Sequence, residues 1–197
     1  VIDGRDQGRP IRVLCTEASL EQLLAEQSIH RLDLVLSDQP APSGLGFKAF
    51  NHRLGESGLS FFARKPADAG LKRDFPQCLN NAPMLLPSKH SALRRHMDEW
   101  FESRGIAPDI VGEFADSALM KAFGETGTGL FAAPTVIENE IRRMYRMSVI
   151  GRVDDVTESF YAISPERRLK HDAVVAITQR ARDDLFAGDH GLEAVGS

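Results

Sequence analysis

Residues 108–135, PDIVGEFADSALMKAFGETGTGLFAAPT, decide how we interpret the rest of this chain. The apolar run at 110–114 predicts a short strand. Apolar residues between 118 and 123 then recur at helical spacing, which predicts a helix. The run at 129–133 has no polar side chain, as expected for a parallel strand covered on both faces. The stretch therefore predicts a strand, a helix and a second, parallel strand.

Local signals also set the ends of that predicted helix. An oxygen of Asp116 or Ser117 can cap its first turn by accepting hydrogen bonds from backbone N–H groups that have no partner in the helix. Gly124, Gly127 and Gly129 are predicted to break the helix, since a glycine adopts a positive φ without a steric cost. Ligands bind at the loops that follow such strands in open α/β sheets.

A second strand–helix–strand unit is predicted near the amino terminus. Residues 10–14 alternate and are β-prone, and residues 16–19 contain two candidate helix caps. A short amphipathic helix is predicted over 20–27, followed by a strand at 32–36 and a polar turn at 37–40. A right-handed crossover would make these two strands parallel.

The remaining elements are predicted in the same way, strands from short apolar or alternating runs and helices from apolar residues at helical spacing. Further strands are predicted at 47–54, 59–63, 84–86, 148–153 and 158–163. Further helices are predicted after the candidate caps at 88–91, over 135–144 and over 171–186. In the first of these, Leu93, Met97 and Trp100 lie on one face, so we interpret Trp100 as a core residue.

Composition limits the function. The 197 residues are 42% hydrophobic and 26% charged, which is typical of a globular protein with a substantial core. The net charge is -4 and no large Lys/Arg cluster is present, so this chain alone is predicted to bind nucleic acid poorly. No apolar run approaches the ~20 residues that span a bilayer, and we predict no membrane segment and a cytoplasmic location.

The sequence contains little that indicates an enzyme or a metal site. Cys15 and Cys78 are the only cysteines; a disulfide between them is conceivable, but we predict two reduced thiols and no zinc site. The glycines at 124, 127 and 129 follow a helix and lack the spacing of the dinucleotide fingerprint. Residues 55–59 lack the last glycine of a nucleophile elbow. We therefore predict that the protein is not an enzyme.

Alternating strands and helices indicate an α/β architecture. Each of the two predicted strand–helix–strand groups is too small to enclose a core by itself. We therefore predict two lobes that face each other across a cleft, a place where ligand sites are common.

Three stretches resemble the effector-binding domain of LysR-type transcriptional regulators. They are EQLL at 21–24 followed by LDLVLS at 32–37, LLP at 85–87 followed by Ser91, Leu93 and Arg94, and TGLFAAP at 128–134. The resemblance implies a two-lobed fold of the type 2 periplasmic-binding-protein kind, with a cleft between the lobes. It implies a first lobe of residues 1–57 and 162–187, a second lobe of residues 58–161, and a tail over 188–197.

Within the family, LDLVLSD, GEFADSALMKAFG and APT resemble the subgroup that activates expression of sodium/proton antiporters. The resemblance implies sodium (or lithium) ion as the signal. It also implies DNA binding through a winged helix-turn-helix that this chain lacks, and a homodimer or homotetramer of the intact protein. The family's first strand and helix are missing before residue 10, so we expect the chain to be a fragment. A solute-binding protein that delivers a small ligand to a transporter is the alternative.

The same resemblance places the candidate effector-binding residues at strand ends and helix N-termini, where N–H groups suit carboxylates. They are Ser37, Asp38, Ser88, Lys89, Ser91, Phe114, Asp116, Ser117, Ala133, Pro134 and Thr135. Helix capping explains Ser88 and Ser91 equally well, and strand termination is the simpler explanation for Pro134.

No cofactor is predicted, but oxygen-rich side chains could bind a sodium ion, a hard cation, much as they bind Ca²⁺. The candidate ligands are Glu17, Glu21 and Asp38. Glu17 and Glu21 lie four residues apart at a helix start, where their charge also complements the helix dipole. Asp38 follows a strand, where an aspartate is also an ordinary turn residue.

Overall fold

A computed structural model describes residues 5–6, 9–10, 12–66, 69–89, 91–167 and 172–186. The chain forms two compact units, which are described separately below. Unit 1 comprises Val1–Glu56 and Ser159–Ser197, and unit 2 comprises Ser57–Glu158. The tail predicted over 188–197 lies outside the described residues. No helix in the described part is long and apolar enough to cross a membrane.

The elements are numbered in chain order. The strands are β1 (Arg5–Asp6), β2 (Arg9–Pro10), β3 (Val35–Ser37), β4 (Phe50–Arg64), β5 (Pro83–Pro87), β6 (Asp109–Phe114), β7 (Phe131–Pro134) and β8 (Met147–Ser164). The α-helices are α1 (Leu20–Ser28), α2 (Ala69–Arg73), α3 (Ala92–Ser103), α4 (Ser117–Thr126), α5 (Glu138–Met144) and α6 (Asp172–Phe186). Short 3-10 turns occupy Gln77–Leu79 and Thr135–Ile137.

In unit 1, α1 forms as the sequence predicts. Ser19 caps it: the hydroxyl accepts from the Gln22 backbone N–H, and the Gln22 side chain accepts from the Ser19 backbone N–H. This reciprocal pair satisfies two backbone donors. The helix packs Leu24 in a small core with Val35 and Ile163.

The predicted parallel pairing in unit 1 is wrong. Residues 12–19 form no strand, and the side chains of Val13 and Leu14 are 46% and 78% exposed. Arg9–Pro10 pairs antiparallel with β1, and β3 pairs antiparallel with β8 through Val35 and Ile163. An alternating sequence forms a strand only where a neighbouring strand takes up its hydrogen bonds, and residues 12–14 have none in the described part of the chain.

Two pairs of predicted strands are single long strands. The strands predicted at 47–54 and 59–63 are both part of β4, and those predicted at 148–153 and 158–163 are both part of β8. Polar residues in the middle of each strand interrupted the apolar pattern that we used to define strands. β4 and β8 are neighbours in one sheet, and each contributes residues to both units.

Unit 2 contains a parallel strand–helix–strand group, β5–α3–β6. Pro83 pairs with Asp109 and Pro87 with Phe114, so both strands end at the same edge. Leu130 bridges Met84 in the parallel sense on the other side of β5. The run that leads into β7 therefore points the same way, and β7 itself then pairs antiparallel with β4.

Helix α4 is capped as predicted, but one of its glycines does not break it. Asp116 is its N-cap, and Gly127, at φ +87°, ends it in the left-handed conformation. Gly124 lies inside the helix, where an added Cβ would be 2.5 Å from the Phe131 ring. Its role is close packing of the helix against β7 rather than termination.

The larger core of unit 2 lies between α3 and the sheet. Trp100 is buried, as predicted, and its ring lies 5.7 Å from that of Phe61. A second cluster, which includes Phe62, Phe131 and Met120, lies under α4. Cys15 and Cys78 are not paired in the structure.

Candidate effector site

Three loops follow β5, β6 and β7 at the carboxyl edge of unit 2, and we call them the effector loops. They contain nine of the eleven candidate effector-binding residues. The first two loops are joined directly, because the Ser88 backbone N–H donates to the Phe114 carbonyl oxygen at 2.8 Å. The pairing register of these strands therefore places the predicted effector-binding residues of unit 2 at one edge of the sheet.

The first effector loop leaves the N-terminus of α3 open. Ser91 is the N-cap residue by backbone conformation, yet its side chain makes no capping hydrogen bond within the described structure. Its backbone N–H donates to the Ser88 carbonyl at 3.0 Å. Lys89 is exposed on the same loop. The first-turn N–H groups of α3 and the Ser91 hydroxyl are thus available to a ligand.

A buried arginine holds this loop in place. Arg94 is only 3% exposed, and its Nη1 donates to the Pro87 carbonyl at 2.9 Å. Its Nε donates to both carboxylate oxygens of Asp98, and its Nη2 donates to Glu113 at 3.3 Å. A buried charge with several partners is costly to leave unpaired, so Arg94 ties the end of β5 to α3 and β6.

The second effector loop places a carboxylate at the N-terminus of α4. Asp116 Oδ1 accepts from the backbone N–H groups of Ala118 and Leu119, at 2.7 and 3.3 Å. Ser117 is exposed and accepts a long hydrogen bond from Lys121. Because the Asp116 carboxylate already accepts hydrogen bonds from the first-turn N–H groups of α4, the N-terminus of α4 is less suited to an anion than that of α3.

The third effector loop begins at buried Ala133 and half-buried Pro134, the last two residues of β7. Thr135 follows in the 3-10 turn, and its hydroxyl lies 3.0 Å from that of Ser60 on β4. The Ser60 hydroxyl also donates to Glu138 Oε2 at 3.0 Å. The hydroxyl of the loop is thereby connected to a buried carboxylate.

Glu138 is ionised and tightly paired. Arg152 on β8 donates to both of its carboxylate oxygens at 2.8 Å, and Arg142 lies 3.7 Å away. The hydrogen bonds from Arg152 lower the pKa of Glu138; burial opposes this, and the hydrogen bond from Ser60 adds to it. The ion pair and Ser60 therefore attach the third loop to both β4 and β8.

Sequence reasoning missed Ser57, Ser60, Glu138 and Arg152. A glutamate in the first turn of a helix is ordinarily exposed and complements the helix dipole, so nothing marked Glu138 as buried. The available signal was Ser60, the only polar residue in the run LSFFA at 59–63.

The candidate residues of unit 1 fall in two segments, Ser37 and Asp38 at the end of β3 and Glu17 and Glu21 at the start of α1. Ser37 ends β3, and its hydroxyl accepts from the Gln39 backbone N–H at 3.0 Å, as in a tight turn. Asp38, Glu17 and Glu21 are exposed, and Glu21 lies in the first turn of α1. No group of three His, Cys, Asp or Glu side chains is arranged to hold a metal among the residues that the structure describes.

An open cavity of about 370 Å³ lies elsewhere in unit 2. Residues of α3 and β8 line it, including His96, Trp100 and Asp155. None of the candidate effector residues contributes to its walls, so we do not assign it to the effector site.

The sequence model of the LysR substrate binding domain matches residues 5–185. The chain belongs to this family. The match covers nearly the whole chain, and solved LysR-type regulatory domains share its two-lobed, periplasmic-binding-protein-like α/β fold. The family is one of ligand-binding regulators rather than enzymes, in agreement with the prediction.

The chain is similar to the transcriptional activator protein NhaR of Escherichia coli strain K12, with 38% identity over 181 residues. The match covers 92% of this chain and 59% of NhaR. Among solved structures, Vibrio fischeri DarR in complex with DNA has a TM-score of 0.65 at 16% identity, over 91% of this chain and 60% of that one. The effector-binding domain of QuiR in complex with shikimate has a TM-score of 0.58 at 15% identity, over 87% and 80%.

Proposed function

We propose that this chain is the effector-sensing domain of a DNA-binding transcriptional activator that responds to sodium ion and controls sodium/proton antiporter expression. The observation that carries the proposal is the 38% identity to NhaR over 92% of the chain. The segments LDLVLSD and GEFADSALMKAFG, which resemble the antiporter-activator subgroup, support the sodium assignment.

The chain spans 59% of the length of NhaR, so DNA binding and assembly belong to the proposal for the whole protein. The DNA complex of DarR supports a DNA-binding partner domain. We propose a winged helix-turn-helix for that domain, a homodimer or homotetramer for the assembly, and the cytoplasm as the place of action. A free solute-binding protein has no counterpart among the relatives named above.

A ligand can switch such a domain only if it binds one of two conformations better than the other. In unit 2, the effector loops are held by Arg94 and by the pair of Glu138 and Arg152. A ligand that changes the position of a loop therefore changes contacts made to α3, β4 and β8. We propose that this is how ligand binding is transmitted from the site.

A small organic acid is the second candidate effector. The N-terminus of α3 has no side-chain cap, and such an end binds carboxylates through its N–H groups. The shikimate complex of QuiR shows that a domain of this fold binds an organic acid. The carboxylates of Asp38 and Asp116, in contrast, favour a cation.

Titration with NaCl against choline chloride at equal ionic strength separates the two candidates. Because Trp100 is the only tryptophan, its fluorescence reports on one known position in unit 2. We expect a saturable change in fluorescence and melting temperature with NaCl that choline chloride does not produce. Identical responses to both salts would refute the sodium assignment. A response to shikimate in the same assay would then favour the organic acid.

A further inference from the structure

A chain of three hydrogen-bonded groups runs from an effector loop into the interior of unit 2. Thr135 Oγ1 lies 3.0 Å from Ser60 Oγ, which lies 3.0 Å from Glu138 Oε2. Arg152 donates to both oxygens of the same carboxylate. Ser60 is fully buried and Glu138 nearly so, so these groups have little access to water.

The number of available protons fixes which group donates and which accepts in each of these hydrogen bonds. An ionised carboxylate only accepts hydrogen bonds, and a serine hydroxyl has a single proton to donate. Glu138 is held ionised by Arg152, which lowers its pKa, so the Ser60 proton points to Glu138. Ser60 can then meet Thr135 only as an acceptor, and the Thr135 proton must point inward to Ser60.

We propose that Thr135 presents only its oxygen lone pairs to the effector, so that the effector group that meets it is a hydrogen-bond donor or a cation. This inference rests on the proposed function in one respect, the assignment of Thr135 to the effector site. Glu138 and Ser60 act as positioning residues, since they set the polarity of a contact that they do not make.

Neighbouring contacts keep the loop in the required place. The Ser57 hydroxyl accepts from the Val136 backbone N–H at 3.2 Å and donates to the Gly58 carbonyl at 2.9 Å. Turning the Thr135 proton outward would leave the lone pairs of Thr135 and Ser60 facing each other. Ser60 is fully buried and a hydrogen bond left unmade at a buried polar group is costly, so the inward direction is maintained.

This polarity excludes one type of contact. A carboxylate oxygen placed against Thr135 would meet a second acceptor and no proton. An organic acid could still bind, but its carboxylate would have to face another part of the site, such as the open N-terminus of α3. A sodium ion, an ammonium group or a hydroxyl proton meets Thr135 favourably.

Neutron diffraction from deuterium-exchanged crystals of the full chain tests the proposal without any ligand. We expect the Thr135 deuteron to lie between Thr135 Oγ1 and Ser60 Oγ, and the Ser60 deuteron to point to Glu138. A Thr135 deuteron that points away from Ser60 would overturn the proposal. Because the measurement needs no effector, a failure of the sodium assignment would leave its result unaffected.

Hydroxyl-proton NMR provides a second test in solution. The Thr135 hydroxyl proton should exchange slowly in the unmodified protein, and Ser60→Ala should accelerate its exchange by an order of magnitude. Ser103→Ala is the matched control, since Ser103 donates to the Trp100 carbonyl and takes no part in the chain. Fast exchange in the unmodified protein, or no acceleration in Ser60→Ala, would refute the proposal.

Discussion

The guanidinium of Arg152 binds the carboxylate of Glu138 through two hydrogen bonds of 2.8 Å, but the two partners differ greatly in exposure. The Glu138 side chain is 8% exposed and the Arg152 side chain 57%. Removing Arg152 therefore leaves a buried negative charge, whereas removing the charge of Glu138 leaves an arginine that reaches water. The two halves of this ion pair should respond differently to substitution.

We expect Arg152→Gln to lower the free energy of unfolding by about 3 kcal/mol, as for a buried charge that loses its main partner, since only Arg142, at 3.7 Å, and the Ser60 hydroxyl remain. Glu138→Gln should cost only about 1 kcal/mol, near the net value of one hydrogen bond. Urea denaturation at pH 7 measures both. Arg104→Gln is the control: its salt bridge with Asp155 is exposed on both sides, and its loss should cost roughly 0.5 kcal/mol. An equal or larger loss in Glu138→Gln would contradict this account.

The same ion pair gives a pH dependence of known sign. Because the pKa of Glu138 is lowered in the folded state, its stabilising contribution is complete above the pKa of a glutamate in the unfolded chain, roughly 4.3. The contribution is lost as the pH falls through the lower, folded value. The stability difference between the unmodified protein and Glu138→Gln should therefore be constant near neutrality and shrink below about pH 5. A difference that grows in acid would contradict the prediction.

Substitution of the two N-cap serines, Ser19 and Ser91, should have different effects on stability. Ser19 forms a reciprocal capping box with Gln22, so Ser19→Ala should cost about 1 kcal/mol. Ser91 makes no capping hydrogen bond through its side chain in the described structure, so Ser91→Ala should lie within about 0.5 kcal/mol of the unmodified protein. Thermal or urea unfolding of both variants tests this. If Ser91→Ala loses an effector response while it keeps its stability, the hydroxyl contacts the effector directly.

Gly124 is required by packing rather than by backbone conformation. An alanine Cβ would come within 2.5 Å of the buried Phe131 ring. Alanine is favoured over glycine in a helix by about 1 kcal/mol, but overpacking of a core costs about 1–3 kcal/mol. We expect Gly124→Ala to be destabilising overall in urea denaturation, and Gly46→Ala, which has open space around it, to be neutral. A more stable Gly124→Ala protein would show that Phe131 moves aside easily.

Features that depend on short stretches of sequence were predictable. The caps Ser19 and Asp116 act on backbone groups two or three residues away, so the sequence alone reduces each cap to two candidates. Ser88 and Phe114 were both predicted as effector-site residues, but the hydrogen bond that joins them depends on the pairing of β5 with β6.

Features that depend on distant residues were not predictable. The direction of β3 is set by β8, whose Ile163 pairs with Val35. No residue near position 35 indicates that the pairing is antiparallel. The burial of Glu138 likewise depends on Arg152 and on Ser60, which lies on a different strand. One sequence contains no signal that links these positions.

Asp38 and His30 distinguish a carboxylate-based sodium response from a nonspecific effect of surface charge. Both residues are exposed in unit 1, and a sodium ion favours carboxylate oxygen over imidazole nitrogen. In the NaCl titration against choline chloride, Asp38→Asn should weaken the sodium-specific fluorescence change more than His30→Ala does. The reverse order would show that Asp38 is not a sodium ligand.

Amide NMR spectra of the labelled chain, recorded in NaCl and in choline chloride at equal ionic strength, test the central claim most directly. The account predicts sodium-specific shifts in the effector loops, at Ser88, Ser117 and Val136. Shifts that are the same in both salts, or that appear only outside the effector loops, would contradict the account.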